Sequence, residues 1–363
     1  MTRQIIALLG RKDEPTDAVE EYCRYLGEAL RAHDFDLQIR RVPWEKHGWR
    51  DSLEAIRLQA GSWRGNWAFV QYTALAWSVR GFPQRVLRVL RLLKSVGARV
   101  GIVFHDVEPY PGARLIDRVR HAAQVRAMRH ALRMAELAIF TVAPEKLSWV
   151  PANSTNARFV PVGPNLPFPT LSEARGNSRD PLPTVGVFSI TGGAAGAHET
   201  QTILGAARHA ANTFGPFRLS IFGRHAELRE AELREGLRSS GVELSVEGVV
   251  EPAGVVERLH ACDLLLFVRG GISSRRSSAI AGIAAGLPIL AYEGSETAPP
   301  VTDAGVVLVA EEQPAALHSA LVKLLSDVAL RKELAERSSA AFRVHFSWPA
   351  IGAQFADTIK AQR

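Results

Sequence analysis

Short runs of β-branched, aromatic and aliphatic residues recur along the chain, separated by longer stretches whose apolar positions repeat at helical spacing. In the first half such runs predict strands over residues 4–9, 36–42, 67–72, 99–105, 136–142 and 158–162. A second series predicts strands over 184–190, 217–223, 242–248, 263–268, 287–292 and 305–310. Between the two lies a segment rich in Pro, Gly, Ser and Asn, residues 166–183, which reads as an interdomain linker. Strands that alternate with helices build parallel sheets, so the pattern implies an α/β protein of two Rossmann-like domains facing a central cleft. Each sheet should bind its ligand beyond the carboxyl ends of its strands.

Composition narrows the choice of class. The 363 residues are 47% hydrophobic and 22% charged, which suits two folded domains and excludes disorder. The longest apolar runs, such as residues 264–268, fall far short of the ~20 residues a spanning helix needs. The opening segment reads as a buried strand rather than a secretory signal. Two isolated cysteines, Cys23 and Cys262, suit a reducing compartment, so a cytoplasmic chain is expected.

Charge is unevenly shared. Residues 1–165 hold 25 Lys and Arg against 16 Asp and Glu, whereas residues 166–363 hold 19 against 21. The whole excess of +7 therefore comes from the first half, which should attract anionic surfaces. Segments 83–96 and 114–133 interleave arginines with aliphatic residues. That pattern fits an anionic leaflet at the inner face of the cell membrane, and it fits equally a helix packed on a sheet. No zinc spacing, RNP-like strand or helix-turn-helix pattern accompanies the basic half, so a nucleic-acid partner is not expected. The crowded Trp44, Trp49, Trp63, Trp67 and Trp77 are read as core.

Three pieces of the second half carry a family resemblance. Gly248-Val249-Val250-Glu251-Pro252, with residues 256–267 after it, resembles a signature of family-four glycosyltransferases of GT-B fold. Residues 281–291, with their Gly286-Leu287-Pro288 turn, are similar to the helix, turn and strand that follow in that family. Phe346-Ser347-Trp348-Pro349 resembles its closing helix, which crosses back to the first domain. The resemblance implies an acceptor-side domain over 1–165, the linker over 166–183, a nucleotide-sugar domain over 184–345 and the crossing helix over 346–363. Most members carry two glutamates in the segment before the Gly-x-Pro turn, and the matching positions here are Ser273 and Ala281. In the family the later glutamate holds the donor ribose and the earlier one lies near the transferred sugar.

Where those carboxylates are missing stands Gly270-Gly271-Ile272-Ser273-Ser274-Arg275-Arg276-Ser277-Ser278, between a strand and a helix. Glycine admits close backbone approach, hydroxyls and N–H groups at a helix start bind anionic oxygens, and guanidinium groups clamp phosphate. Gly271, Ser274, Arg275, Arg276, Ser277 and Ser278 therefore make a candidate diphosphate site, beside the alternative of a helix with two solvated arginines. The loop after the first strand of this domain contributes Gly192 and Gly193, and the loop after the next strand contributes Arg224, with His225 read as a surface residue. The family resemblance places a donor-sugar contact at His105, with Asp106 fixing its tautomer or acting as a base. Arg276 joins this pair as the group that stabilises the departing diphosphate. In the opening loop Asp17 is expected to cap a helix, and Arg11 and Lys12 fit an anionic acceptor or a solvated loop.

The resemblance implies a metal-independent transferase that moves a sugar with retention from a nucleotide-sugar to a glycan or a polyprenyl-diphosphate-linked acceptor, without a further cofactor. A noncatalytic nucleotide-sugar-binding subunit and a GT-B epimerase are the competing expectations.

Overall fold

A computed structural model shows two compact units, one of Met1–Pro161 with Trp348–Arg363, the other of Val162–Ser347. It describes residues 2–14, 17–110, 112, 114–168, 182–311 and 313–362; most of the segment read as a linker, residues 169–181, lies outside them.

In the first unit six parallel strands, β1 (Arg3–Leu9), β2 (Phe35–Arg41), β3 (Trp67–Tyr72), β4 (Arg99–Phe104), β5 (Leu137–Phe140) and β6 (Ala157–Phe159), lie in the order β2-β1-β3-β4-β5-β6. Helices α1 (Ala18–Leu30), α2 (Trp44–Ala60), α3 (Val86–Ser95) and α4 (Leu115–Met134) make the crossovers. Strand β3 is buried along its whole length, as is β1 from Ile5 to Leu9. A strand covered on both faces favours a near-continuous apolar run, broken in these buried stretches only by Gln71 of β3, which explains why the two were readable in sequence. At the sheet edge β2 has only Phe35 fully buried and its polar residues partly or wholly in solvent.

Asp17 caps α1, accepting from the backbone N–H of Val19 at 3.2 Å and Glu20 at 3.1 Å. The helix buries Tyr22, Cys23, Leu26 and Leu30. The chain's closing helix, Trp348–Lys360, belongs to this unit and packs on α1. A side chain at Gly352 would meet Ala29 Cβ at 2.7 Å, so the two backbones approach as only glycine allows. Trp348 stacks on Tyr25 with ring centroids 5.3 Å apart. All five tryptophans read as core are buried; Trp44 stacks on Trp49, and the Trp77 indole N–H donates to the Gln71 carbonyl at 2.8 Å.

The second unit repeats the plan. Strands β7 (Thr184–Phe188), β8 (Phe217–Phe222), β9 (Val242–Glu247), β10 (Leu264–Gly271), β11 (Ile289–Glu293) and β12 (Val306–Ala310) are all parallel, in the order β12-β11-β10-β7-β8-β9. Helices α5 (Gly193–Thr213), α6 (Glu230–Gly236), α7 (Pro252–His260), α8 (Ser277–Ala284), α9 (Pro314–Ser326) and α10 (Val328–Ala341) connect or follow them, and the closing helix is α11. Pairing of β10 with β11 slips between Phe267 and Gly271. Such a bulge re-aims the side chains it contains, here including Arg269.

In both sheets the strand order reverses beside the first strand, between β1 and β3 in one and between β7 and β10 in the other. Loops leaving those neighbours diverge to opposite faces and open a crevice at their carboxyl ends.

Gly352→Val should lower the unfolding free energy by about 1–3 kcal/mol by wedging α11 from α1. Urea unfolding followed by tryptophan fluorescence measures it, and an unchanged midpoint would show that the close approach matters little.

Candidate functional site

At the first switch point a cavity of about 210 Å³ is lined by the loops after β1, β3 and β4 and by the start of α1. Gly10 forms its floor because a Cβ there would lie 2.1 Å from the Ala76 carbonyl oxygen, which accepts the Arg11 N–H at 2.8 Å. Polar groups on the wall include Asp17, Gln71, Thr73, Asp106 and Tyr110. Asp17 is held by the Arg41 guanidinium at 3.0 Å besides its capping bonds. Asp106 Oδ2 accepts from the Ala74 N–H at 2.8 Å and from the Tyr110 hydroxyl at 3.1 Å. Of the basic pair in the opening loop, Arg11 faces Glu45 at 3.6 Å and Lys12 faces Glu14 at the same distance, and both line the cavity.

His105, half-buried at the end of β4, is not among the lining residues; Gln71 stands in the wall. Its Nε2 lies 2.9 Å from Gln71 Oε1, so Nε2–H donates and Nδ1 carries the lone pair in the neutral ring. The Tyr22 ring meets the imidazole edge-on, 4.9 Å between centroids. Burial pushes the His105 pKa down to about 4, against a smaller opposing pull from Asp17. The ring is therefore neutral at physiological pH and acts through hydrogen bonds, not as a cation.

At the second switch point the decisive side chain is Arg269, which the sequence reading passed over. The bulged end of β10 sends its guanidinium between two helix starts, Nε reaching Thr191 Oγ1 before α5 and Nη1 reaching Ser278 Oγ in the first turn of α8, each at 3.4 Å. Neither helix has a side-chain cap: Gly192 and Arg276 occupy the cap positions without making the bond. Hydroxyls at two helix starts thus meet one guanidinium. Arg276 adds a second. Burial first, then the neighbouring Arg275, pushes its pKa down to about 10, which leaves it charged at neutral pH. Its Nε is buried without a hydrogen-bond partner among the described residues. Arg269 is also lowered, by burial foremost and by Arg224, against the pull of Glu199. Glu199 is itself buried and accepts the Thr191 N–H at 2.8 Å, which fixes the loop.

The remaining candidates sort by what they touch. Arg275 spends its fork on Glu296, at 2.7 Å from Nε to Oε2 and 2.8 Å from Nη2 to Oε1. Ser273, at the place of a family glutamate, donates to the same Oε2 at 3.0 Å. A carboxylate is thus present beside Ser273, delivered from 23 residues downstream. Burial raises the Glu296 pKa, but Arg275 and Ser273 outweigh it and leave the group below the usual glutamate range. The 294–297 loop that carries it is seated by a glycine contact: a Cβ at Gly271 would meet Gly294 Cα at 2.5 Å. Thr297 completes the join, accepting from the Gly294 N–H and donating to the Ile272 carbonyl at 2.6 Å. Ser274 is buried with its carbonyl on the Val162 N–H, Ser277 opens α8 half-buried, and Gly193 takes φ +68° at the first turn of α5. Arg224 gives its N–H to Ser189 Oγ at 3.2 Å, and the His225 ring lies beside Gly192, 3.4 Å from where a Cβ would sit.

Among the described residues no group of three His, Cys, Asp or Glu side chains could hold a metal ion. The second switch point gathers two buried guanidinium groups, and the first gathers hydrogen-bonding side chains with Arg11 and Lys12 at its wall.

No protein-family model matches the chain, and no curated protein matches it in sequence. Solved structures do match its shape. The Anabaena protein HepE in complex with UDP and glucose is similar over 99% of this chain and all of its own, at 14% identity and a TM-score of 0.67. A glycosyltransferase from Rickettsia africae matches 99% of this chain and 98% of its own, at 10% identity and a TM-score of 0.69. WaaG, a glycosyltransferase involved in lipopolysaccharide biosynthesis, matches 98% of this chain and 99% of its own, at 14% identity and a TM-score of 0.65. The chain has the GT-B fold, two units each built on a six-stranded parallel sheet.

Because the folded state refuses a proton at His105 that the unfolded chain accepts, stability falls as pH drops from about 6.5 to about 4 and this contribution levels off below. The limiting slope is about 1.4 kcal/mol per pH unit. His105→Gln should flatten that part of the profile in urea titrations across the window; an unaltered slope would assign it to other groups.

Proposed function

We propose that this protein is a glycosyltransferase that binds a nucleotide-sugar through its second unit and passes the sugar to a hydroxyl of a glycan or polyprenyl-diphosphate-linked acceptor. The observation that carries the reading is the pair Arg269 and Arg276 at two uncapped helix starts, with a buried guanidinium N–H of Arg276 left without a partner. An orphaned N–H of that kind costs on the order of 1–3 kcal/mol, a cost that a bound anion would remove. Among structural neighbours, HepE is seen with UDP and glucose, which agrees with a diphosphate here.

In the proposed reaction the bond from the anomeric carbon to the diphosphate oxygen breaks while the acceptor oxygen bonds to the same carbon. Arg269 and Arg276, with the N–H groups of Gly193, Ser277 and Ser278, offset the charge that grows on the leaving diphosphate. The acceptor proton goes to a phosphate oxygen, which stays on the face it left, and the configuration is retained. Glu296 supplies the carboxylate lacking at Ser273: Arg275 and Ser273 occupy three of its lone-pair positions, and the fourth, on Oε1, is available to a sugar hydroxyl. Arg275 is then a positioning residue. In the first unit Asp106, Thr73 and Gln71 line the acceptor pocket, and His105 orients Gln71 through Nε2–H.

Thermal unfolding in the presence of UDP-, GDP-, ADP- and dTDP-sugars should reveal one base that stabilises the fold, by about 2.7 kcal/mol at a hundredfold excess over Kd. Arg276→Met should unfold no lower than the parent without ligand, since it removes an unpaired N–H, and should lose that ligand shift. Turnover, read as nucleoside diphosphate released with acceptor, should drop about 10²- to 10³-fold in Arg276→Met and Arg269→Met. Binding without any release would favour the noncatalytic subunit. Full turnover in both variants would overturn the site.

A further inference from the structure

Several arginines of the first unit are matched to a carboxylate: Arg41 to Asp17 and Glu20, Arg99 to Glu136, and Arg120 to Asp117. Four others are not. Arg50 and Arg57 of α2 and Arg88 and Arg91 of α3 are exposed and make no hydrogen bond or ion pair among the described residues. All four line one groove of about 550 Å³, in whose described wall Glu54 is the one acid. Helix α2 leads from β2 to β3 and α3 from β3 to β4, so both run back against the strands, and they pack side by side. Arg50 and Arg57 therefore stand about 10 Å apart along one wall, and Arg88 and Arg91 about 5 Å apart along the other. The floor between them is hydrocarbon, made by half-buried Leu53 and Leu92 and by Trp49. It is also fixed: Trp49 stacks on Trp44 with centroids 5.0 Å apart, and the buried Ile56, Val89 and Leu93 anchor both helices in the core.

We infer that the groove between α2 and α3 is a binding site for a compact organic anion that carries two phosphate groups. Four like charges around a concave apolar floor focus positive potential, and nothing on the protein neutralises them beyond Glu54. Guanidinium forks match phosphate oxygens. Walls about 10 Å long take one phosphate at each end and leave the carbon skeleton over Leu53 and Leu92. The volume lies within the roughly 300–1,000 Å³ of small-molecule sites. A helical protein partner in a stable interface would cover about 800 Å² of this chain, more than a groove of this length offers. Single-stranded nucleic acid stacks its bases on open aromatic faces, and Trp49 is only 9% exposed. The site uses residues of the first unit alone, so it does not rest on the proposed transferase reaction.

The test is titration calorimetry of the full chain with fructose 1,6-bisphosphate, in the parent and in Arg276→Met, which disables the arginine site of the second unit. Saturable binding should appear in both and weaken with salt. Inorganic phosphate, which engages one end of the groove at a time, should bind about tenfold or more weakly. Arg57→Gln/Arg91→Gln, one change on each wall, should weaken the bisphosphate about tenfold. Arg118→Gln/Arg126→Gln removes the same charge from α4 and should alter the affinity less than about twofold. Unchanged melting shows both double variants folded. Absence of binding in the parent, equal weakening by the two double variants, or binding that vanishes in Arg276→Met overturns the inference; the last result would assign the anion to the second unit and leave the proposed donor site standing.

Discussion

Parallel pairing is the constraint from which the chemistry of this molecule follows. Parallel neighbours cannot be joined by a tight turn, so most strands are followed by a helix on one face or the other. Where the order reverses, beside β1 and beside β7, adjacent loops must separate. The residues that shape the two crevices sit at those strand ends and loops: Gly10, Thr73 and Asp106 in one unit, Thr191, Arg269 and Arg276 in the other.

The two switch points are tuned in opposite senses. The first holds carboxylates already satisfied by backbone N–H groups, a tyrosine and an arginine, with a histidine kept neutral by burial behind Gln71. It is a hydrogen-bonding pocket, suited to hydroxyls. The second concentrates positive charge where solvent screens it poorly: Arg269 and Arg276 are depressed by desolvation and by their cationic neighbours, beside two helix starts without side-chain caps. Holding such groups together costs stability, which Glu199 and Glu296 offset in part.

Arg275 and Arg276 show how adjacent residues take separate tasks. The first is neutralised by Glu296 in a forked pair, and the second is left with an unpaired N–H. Their difference comes from the 294–297 loop, pressed onto residues 271–273 by a glycine-to-glycine contact and the Thr297 bonds. The α3 and α4 helices show the same lesson at a larger scale. Similar arginine and aliphatic patterns end with one apolar face in the core and the other in solvent.

The order of strands and helices was legible because local apolar runs dictate it: the twelve strands among the described residues fall where such runs occur, most sharply in β1, whose Ile5–Leu9 stretch is buried without a polar interruption. Asp17 as a helix cap was legible for the same local reason, since the bond spans only two or three residues. Arg269 was hidden, because it falls between the strand read over 263–268 and the segment that begins at Gly270, and only the slip in register between β10 and β11 sets its place. Glu296 was hidden because its partners lie 21 and 23 residues away and meet it only through a close packing of two loops. Sequence determined the elements and the residue types at their ends, which depend on near neighbours. Tertiary structure decided which charges stand paired, which stand buried and alone, and which helix keeps a bare apolar edge, because those depend on atoms brought together by the sheets.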